Sequence, residues 1–486
     1  MLTFAVYQAH TCSFTHDESY SYLNYPHHSF MHILSHESAY TNNHLLNSLG
    51  MKYSEILFGS SELSLRLPNL LALVLFMFYS YMLFKQSNRW FALAAFVVLI
   101  SNSYLIDLFS MARGYGLSIG FMFMAIYHLI QIFIKKRKKR DIILFHVAAL
   151  LAALGNFTML LMYAGALCTY FFALLIQFKL NSKTALVAWS VNKWNLIMVV
   201  FSISILYEPV RRVMKHNSFD FGGKASFVES TVGSVINNGF YGFYFTPSTV
   251  SAIHILVLLL VTVSFVYILY RWLRSDGTSI DRSLDLIISN FLLIAICVIT
   301  IVQHFILGSD YLVDRFAMFL WPIFLLNFFF FLQIFPLKPW LPNSIVILLA
   351  VMFGSRFIRT AEPQYLAEWG YDTHTKKAMQ QIAIDIQSST ISKGSISVGC
   401  TWLYYPTLNF YRVTWNMDKV LPILRQDSLT TKGHVHLLVS AEQAEQMDLS
   451  DFEETARYEP YDCIVLRRIN DSEQDPAAPF QDSNAD

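Results

Sequence analysis

Residues 45–84, LLNSLGMKYSEILFGSSELSLRLPNLLALVLFMFYSYMLF, decide the fold class. From residue 66 onward the stretch is an apolar run of the roughly 20 residues that a helix needs to cross a bilayer. Its first half differs. Leu45, Leu46, Leu49, Tyr53 and Ile56 recur at helical spacing, with Asn47, Lys52 and Glu55 elsewhere around the wheel. A helix of this kind lies at headgroup level over a cavity, or packs on a bundle as an ordinary surface helix. Taken alone, the stretch fits the second reading better.

The rest of the chain repeats the apolar half of that pattern. Hydrophobic residues make up 55% of the 486, charged ones only 14%, a membrane-protein composition rather than a soluble one. Spans are predicted near 66–84, 90–106, 114–134, 141–156, 157–178, 194–208, 251–271, 284–306, 315–334 and 341–358, ten or eleven in all. The pair at 141–178 can also be read as one broken helix. Before Asp17 only MLTFAVYQA is apolar, so the sequence predicts a first span truncated at its start. A formal net charge of +1 supplies no global field for nucleic-acid binding. The five cysteines show no metal-binding spacing.

Basic residues orient the chain. The loop IKKRKKRD, ending at Asp141, is the strongest cytoplasmic marker under the positive-inside rule. Threading outward from it places loop 17–65, the turn from Asp107 to Arg113, loop 209–250, GSDYLVDR (308–315) and the C-terminal region on the other face. After about residue 360 the composition changes. A helix is predicted over 372–388 and strands over 395–400, 434–440 and 463–468, giving an extracytoplasmic α/β domain over 359–469. The acidic tail 470–486 reads as disordered. Cys400 and Cys463 fall on strands expected to be neighbours, which leaves a disulfide open beside the commoner buried thiols.

Candidate chemistry gathers on the outer face. Asp17 and Glu18, in FTHDESYSYL, precede the amphipathic stretch; a carboxylate there can take a hydroxyl proton as general base, or simply cap a helix. Asp107 ends the span AAFVVLISNSYLID and is followed by Arg113 in FSMARGYGLS, an ion pair in the plainer reading and a phosphate contact in the sharper one. Gly114 and Gly116 would let helices approach closely. Asp310, Asp314 and Arg315 stand at the mouth of a late span, where Arg315 either snorkels to the headgroups or binds a lipid phosphate. His44 with a carboxylate is a conceivable metal site without supporting spacing.

The ordered set of DE at 17–18, FGSSELSLRLPNLLA, ARGYGLS and DRFAMFLWP resembles the GT-C membrane glycosyltransferases, the superfamily that includes the protein O-mannosyltransferases and the lipid A aminoarabinose transferase. The resemblance covers most of the first 330 residues. It implies a mainly α, polytopic transmembrane helix bundle with a small extramembrane α/β domain. It also implies inverting sugar transfer from a polyprenyl-phosphate donor on the extracytoplasmic face of the plasma membrane, periplasmic in a bacterium. The acceptor is a glycan, a lipid or a protein. By position Asp17 is the catalytic base, Glu18 its motif partner and Asp107 the second outer-loop acid. Arg113, Arg315 and Arg66 are the candidates for the donor phosphate. Some members use a divalent cation and others none, and the sequence leaves both open. Two other readings compete. A polytopic transporter would place ionisable groups at mid-membrane, where His146 is the clear case. A non-catalytic lipid-sugar binding protein would keep the fold without the transfer.

Overall fold

The computed structural model describes residues 1–38, 42–134, 139–180, 184–215, 222–274, 283–338, 340–388, 395–461 and 463–469. In chain order the first helices are α1 (Leu2–Thr11), α2 (His16–Asn24), α3 (Phe30–Leu34), α4 (Leu45–Phe58) and α5 (Glu62–Phe84). Then come α6 (Arg89–Ile100), α7 (Ser103–Phe109), α8 (Gly114–Ile134), α9 (Lys139–Gly155), α10 (Met159–Leu180) and α11 (Thr184–Lys215). After a short π-turn at Val228–Val232 follow α12 (Gly233–Gly239), α13 (Pro247–Arg274), α14 (Leu284–Leu307), α15 (Asp314–Ala317), α16 (Leu320–Ile334) and α17 (Trp340–Thr360). A 3₁₀ turn, Ala367–Asp372, leads into α18 (Thr375–Ser388), β1 (Val398–Cys400), α19 (Tyr405–Thr414), β2 (His436–Ser440), α20 (Ala441–Gln446), β3 (Phe452–Tyr458) and β4 (Cys463–Arg468).

These elements form two compact units. One comprises 1–6, 28–51 and 66–361; the other comprises 7–27, 52–65 and the chain from 362. The sequence reading placed loop 17–65 wholly with the spans. Much of it instead packs into the second unit, where Tyr22 of α2 and Phe14 just ahead of it meet Phe410 of α19. Phe14 stacks on Phe410 with ring centroids 4.2 Å apart, and the Tyr22 ring meets Phe410 edge-on at 5.2 Å. The tail 470–486 and four residues of the basic loop, 135–138, lie outside the described residues.

Within the first unit, six helical segments among the described residues are long and apolar enough to cross a membrane: α5, α8, α13, α14, Asp314–Ile334 and α17. The pair α6–α7, bent by 69°, makes a seventh if counted as one span. That is fewer than the ten or eleven predicted. The segment expected over 90–106 breaks because Asn102 leaves the helical path: its Oδ1 accepts the Leu105 N–H at 2.8 Å, capping α7. Its Nδ2 meanwhile donates to the Asn238 and Gly239 carbonyls at 2.9 Å. The doubtful pair at 141–178 is two helices, parted at Asn156, whose Oδ1 accepts the Thr158 N–H at 3.0 Å. His146 is a structural crosslink. Its ring meets Tyr163 at 2.6 Å and Asn195 at 3.0 Å, tying α9 to α10 and α11 and satisfying polar groups that would be costly in a dry interior.

The second unit carries a four-stranded sheet of order β1-β2-β4-β3, with β1 parallel to β2 and the other pairings antiparallel. Leu437, Val439, Phe452, Ile464 and Leu466 form its core. The sequence anticipated three strands and the helix α18. It missed β3, FEETARY, an edge strand whose charged outward residues hide the alternation, and it missed α19. Cys400 and Cys463 are not on adjacent strands, since β2 lies between theirs. Both are free and buried, and burial pushes both thiols up, Cys463 to about 12.

Candidate functional site

In the first unit the polar residues of the ARGYG segment gather around one tyrosine. Gly114 begins α8 where the helix meets the end of α9: a Cβ there would lie 1.7 Å from the Gly155 carbonyl oxygen and 2.8 Å from His44 Cβ. At Gly116 it would lie 2.7 Å from the Leu108 carbonyl oxygen. Only glycine permits this approach, as the sequence anticipated. The approach sets Arg113, Tyr115 and His44 side by side. Arg113 is 2% exposed and donates from Nη1 to the Asn42 carbonyl at 3.0 Å and from Nη2 to Asn42 Oδ1. Arg315 Nε donates to Tyr115 Oη at 3.0 Å. Both guanidinium carbons lie about 6 Å from the Tyr115 ring centroid, at 5.9 and 6.0 Å, within reach of its π face.

His44 completes the cluster, its ring 5.0 Å from that of Tyr115. Burial holds its imidazole well below the ordinary value, and Arg113, Arg315 and His36 push it the same way, while a hydrogen bond to the Gly155 backbone opposes them. Among the described residues its Nε2 is buried and has no hydrogen-bond partner. Among them, too, no group of three or more His, Cys, Asp or Glu side chains is placed to hold a metal ion. Guanidinium groups attract anions, so the chemistry of this cluster suits a phosphate or carboxylate.

The remaining candidates of this unit surround that cluster in the chain. Asp107 is buried inside α7 rather than standing at the end of a span. Arg66 is fully buried on α5, one turn before Asn69. Asn69 donates to Asn47 Oδ1 at 2.9 Å and accepts the Leu117 N–H at 3.1 Å, and Asn47 donates to the Ala112 carbonyl at 2.7 Å. These bonds fasten α4 and α5 to the turn that presents Arg113. Asp310 precedes Tyr311, which pairs with Gly223 in an isolated antiparallel bridge. Asp314 adopts a left-handed backbone (φ 46°) and accepts from Ser234 Oγ at 3.1 Å, which fixes the loop ahead of Arg315.

An apolar cavity of about 210 Å³ opens in the same unit among α12, α13, α14 and α16, lined by Val235, Ile236, Leu258, Leu293, Cys297 and Trp321 among others. Trp321 follows Arg315 by six residues. Sequence reading missed this cavity, as it missed Tyr115, Asn42 and His36. None of them carries a local signal, and only the packing of distant helices brings them together.

In the second unit Asp17 is partly exposed on the first turn of α2. Glu18, expected as its motif partner, also serves the helix. Thr15 caps α2, and Glu18 Oε2 accepts the Thr15 N–H at 2.9 Å in a capping box. The residue before Asp17 is fixed by the C-terminal region. The His16 N–H donates to Asp372 Oδ2 at 2.6 Å, and His16 Nδ1 lies 2.8 Å from the Leu403 carbonyl. Asp372 Oδ1 also accepts from the Thr407 and Thr375 hydroxyls at 3.1 and 3.2 Å. Burial pushes this carboxyl up to about 8 against those three donors, and the neighbouring Asp17 charge adds to the rise. Further along, Tyr411 Oη accepts the Phe14 N–H at 2.8 Å and donates to Glu62 at 3.2 Å, while Lys376 pairs with Glu62 at 2.6 Å.

No family model matches the sequence, and no curated protein matches it. Among the solved structures that the chain resembles are two of one protein. One is the crystal structure of ArnT from Cupriavidus metallidurans bound to undecaprenyl phosphate, with TM-score 0.49, 11% identity and 96% of each chain covered. The other is the same protein in its apo state, with TM-score 0.49, 12% identity and 96% of each chain covered.

Proposed function

We propose that the protein is a polytopic membrane glycosyltransferase of the GT-C type. In this reading it moves a sugar, with inversion, from a polyprenyl-phosphate donor to an acceptor hydroxyl or phosphate on the extracytoplasmic face. The observation that carries the reading is the cluster of Arg113, Arg315 and His44 around Tyr115. In transfer from a lipid phosphate, the leaving group gathers negative charge as the glycosidic bond breaks, and preorganised cations lower that barrier most when they are buried. The two guanidinium groups meet this need. His44, neutral while the site is empty, accepts from an acid phosphate at Nε2, or gains a proton and donates once an anion offsets the arginines. The apolar cavity in the same unit supports a lipid-borne donor, because a prenyl chain needs a dry surface to lie on.

The proton transfer falls to Asp17. It takes the proton of the acceptor hydroxyl as its oxygen bonds to the anomeric carbon, and the lipid phosphate departs from the opposite side. Asp107 orients donor or acceptor in this scheme, and Arg66 supports the phosphate site. A divalent cation is compatible with this scheme, and the two arginines contribute positive charge with or without it.

The test is release of free polyprenyl phosphate from a panel of polyprenyl-phosphate sugars, with membrane extract as acceptor source. Wild-type protein should release it from at least one donor. Asp17→Asn should lose roughly 10²-fold or more, the range for removing a general base. Turnover that survives the substitution rejects Asp17 as base. No release with any donor rejects transfer altogether.

A further inference from the structure

The candidate base is held by a residue from the far end of the chain. Three consecutive residues open α2, and the outer two are pinned. Glu18 is tied back to Thr15 in the capping box. His16 is tied through its N–H to Asp372 Oδ2 at 2.6 Å and through its ring to the Leu403 carbonyl at 2.8 Å. Asp17 lies between them. We propose that Asp372 is a positioning residue for Asp17: by holding the His16 N–H it fixes the first turn of α2, and with it the place from which the Asp17 carboxylate works. The proposal rests on the reading of Asp17 as base.

The surroundings of Asp372 make it a rigid post. It is 1% exposed, at the end of the turn Ala367–Asp372. Its Oδ1 receives hydroxyls from Thr375, at the start of α18, and Thr407, in the first turn of α19. One carboxyl therefore joins the first turns of three helices, and no movement of α2 leaves the other two unaffected. The Ser13 hydroxyl donates to the Thr373 carbonyl at 2.9 Å and accepts the Lys376 N–H at 3.2 Å, so the approach to α2 is fastened to the same region. Asp17 lies near enough for its charge to act on Asp372. A general base must stand within hydrogen-bond reach of its proton, and a displacement of about 1 Å can cost on the order of 10²-fold in rate. An anchor one residue away controls displacements of that size.

A purely structural carboxyl and a positioning one differ in what their loss changes. In the full-length protein, Asp372→Ala should lower kcat for donor turnover by about ten- to a hundredfold while the donor KM stays within about twofold. Amide exchange should rise over residues 14–24 and stay as in the wild type over β2. Asp372→Asn keeps an acceptor oxygen for His16 and should recover most of kcat. Should the alanine variant fail to fold, the asparagine variant and Thr407→Val decide the matter: near-wild-type kcat in the first and a partial loss in the second are required. Wild-type kcat in Asp372→Ala, unchanged exchange over 14–24, or equal loss of protection in β2 overturns the proposal and leaves Asp17 untouched. Wild-type turnover in Asp17→Asn, run in parallel, removes the base and this proposal with it.

Discussion

Gly114 and Gly155 meet backbone to backbone, so closely that a Cβ on Gly114 would lie 1.7 Å from the Gly155 carbonyl oxygen. The contact seats the start of α8 on the end of α9, and Arg113 and Tyr115 flank it. Gly114→Ala must therefore push the two helices apart. Overpacking of this sort costs about 1–3 kcal/mol, and the first residues to move are those of the cationic cluster. The variant should show a lowered Tm in detergent and a raised donor KM; an alanine protein with unchanged Tm would mean the helices yield freely.

Arg113 should not tolerate lysine. Its guanidinium already spends two donors on Asn42 while facing Tyr115, and an ammonium cannot reproduce a planar fork in that position. Arg113→Lys should raise the donor KM by about tenfold, in line with the loss of one charge-assisted hydrogen bond. Arg315→Lys should act in the same direction through the lost bond to Tyr115. Steady-state kinetics with a single donor at varied concentration checks both.

The apolar cavity should select for chain length. Each methylene buried against its walls is worth about 0.8 kcal/mol, so a long-chain donor should outcompete a short-chain analogue. Cys297→Phe fills part of the space from α14 and should erase about tenfold of that preference, leaving the short analogue unaffected. Competition between two prenyl lengths measures it. Equal loss for both lengths would mean the cavity does not hold the chain.

The stability of the second unit should depend on pH through Asp372. Its carboxyl is raised from 3.8 to about 8 in the fold. Between those values the folded chain binds the proton that the unfolded chain has released, so stability is greatest below about 4 and declines as pH rises toward 8. Wild-type Tm, followed by tryptophan fluorescence from pH 5 to 8.5, should therefore fall further than that of Asp372→Asn. Parallel curves would mean that the three hydrogen-bond donors outweigh burial and keep the group ionised.

Sequence reading located the apolar segments well and the site only in part. The helices α5, α8, α13, α14 and α17 were legible because hydropathy over some twenty residues is a local property. The kink at Asn102 was not, since its side chain is drawn out of the helix by carbonyls 136 and 137 residues away. Gly114 and Gly116 were legible as sites of close approach, but what they approach was not. Glu18 was legible in one respect: with Thr15 it has the spacing of a capping box, and that box is formed.

The sequence by itself determined a mainly helical chain with segments of spanning length and a C-terminal region with strands. These follow from composition and period, which need no partner. The tertiary structure alone decided that Arg113, Arg315 and His44 share one tyrosine. It also decided that the segment bearing Asp17 folds with the C-terminal sheet, and that Asp372 reaches it across 356 residues. The reason is physical: a buried charge or backbone donor must find a partner wherever the fold brings one within about 3 Å, and separation along the chain carries no information about which one that will be.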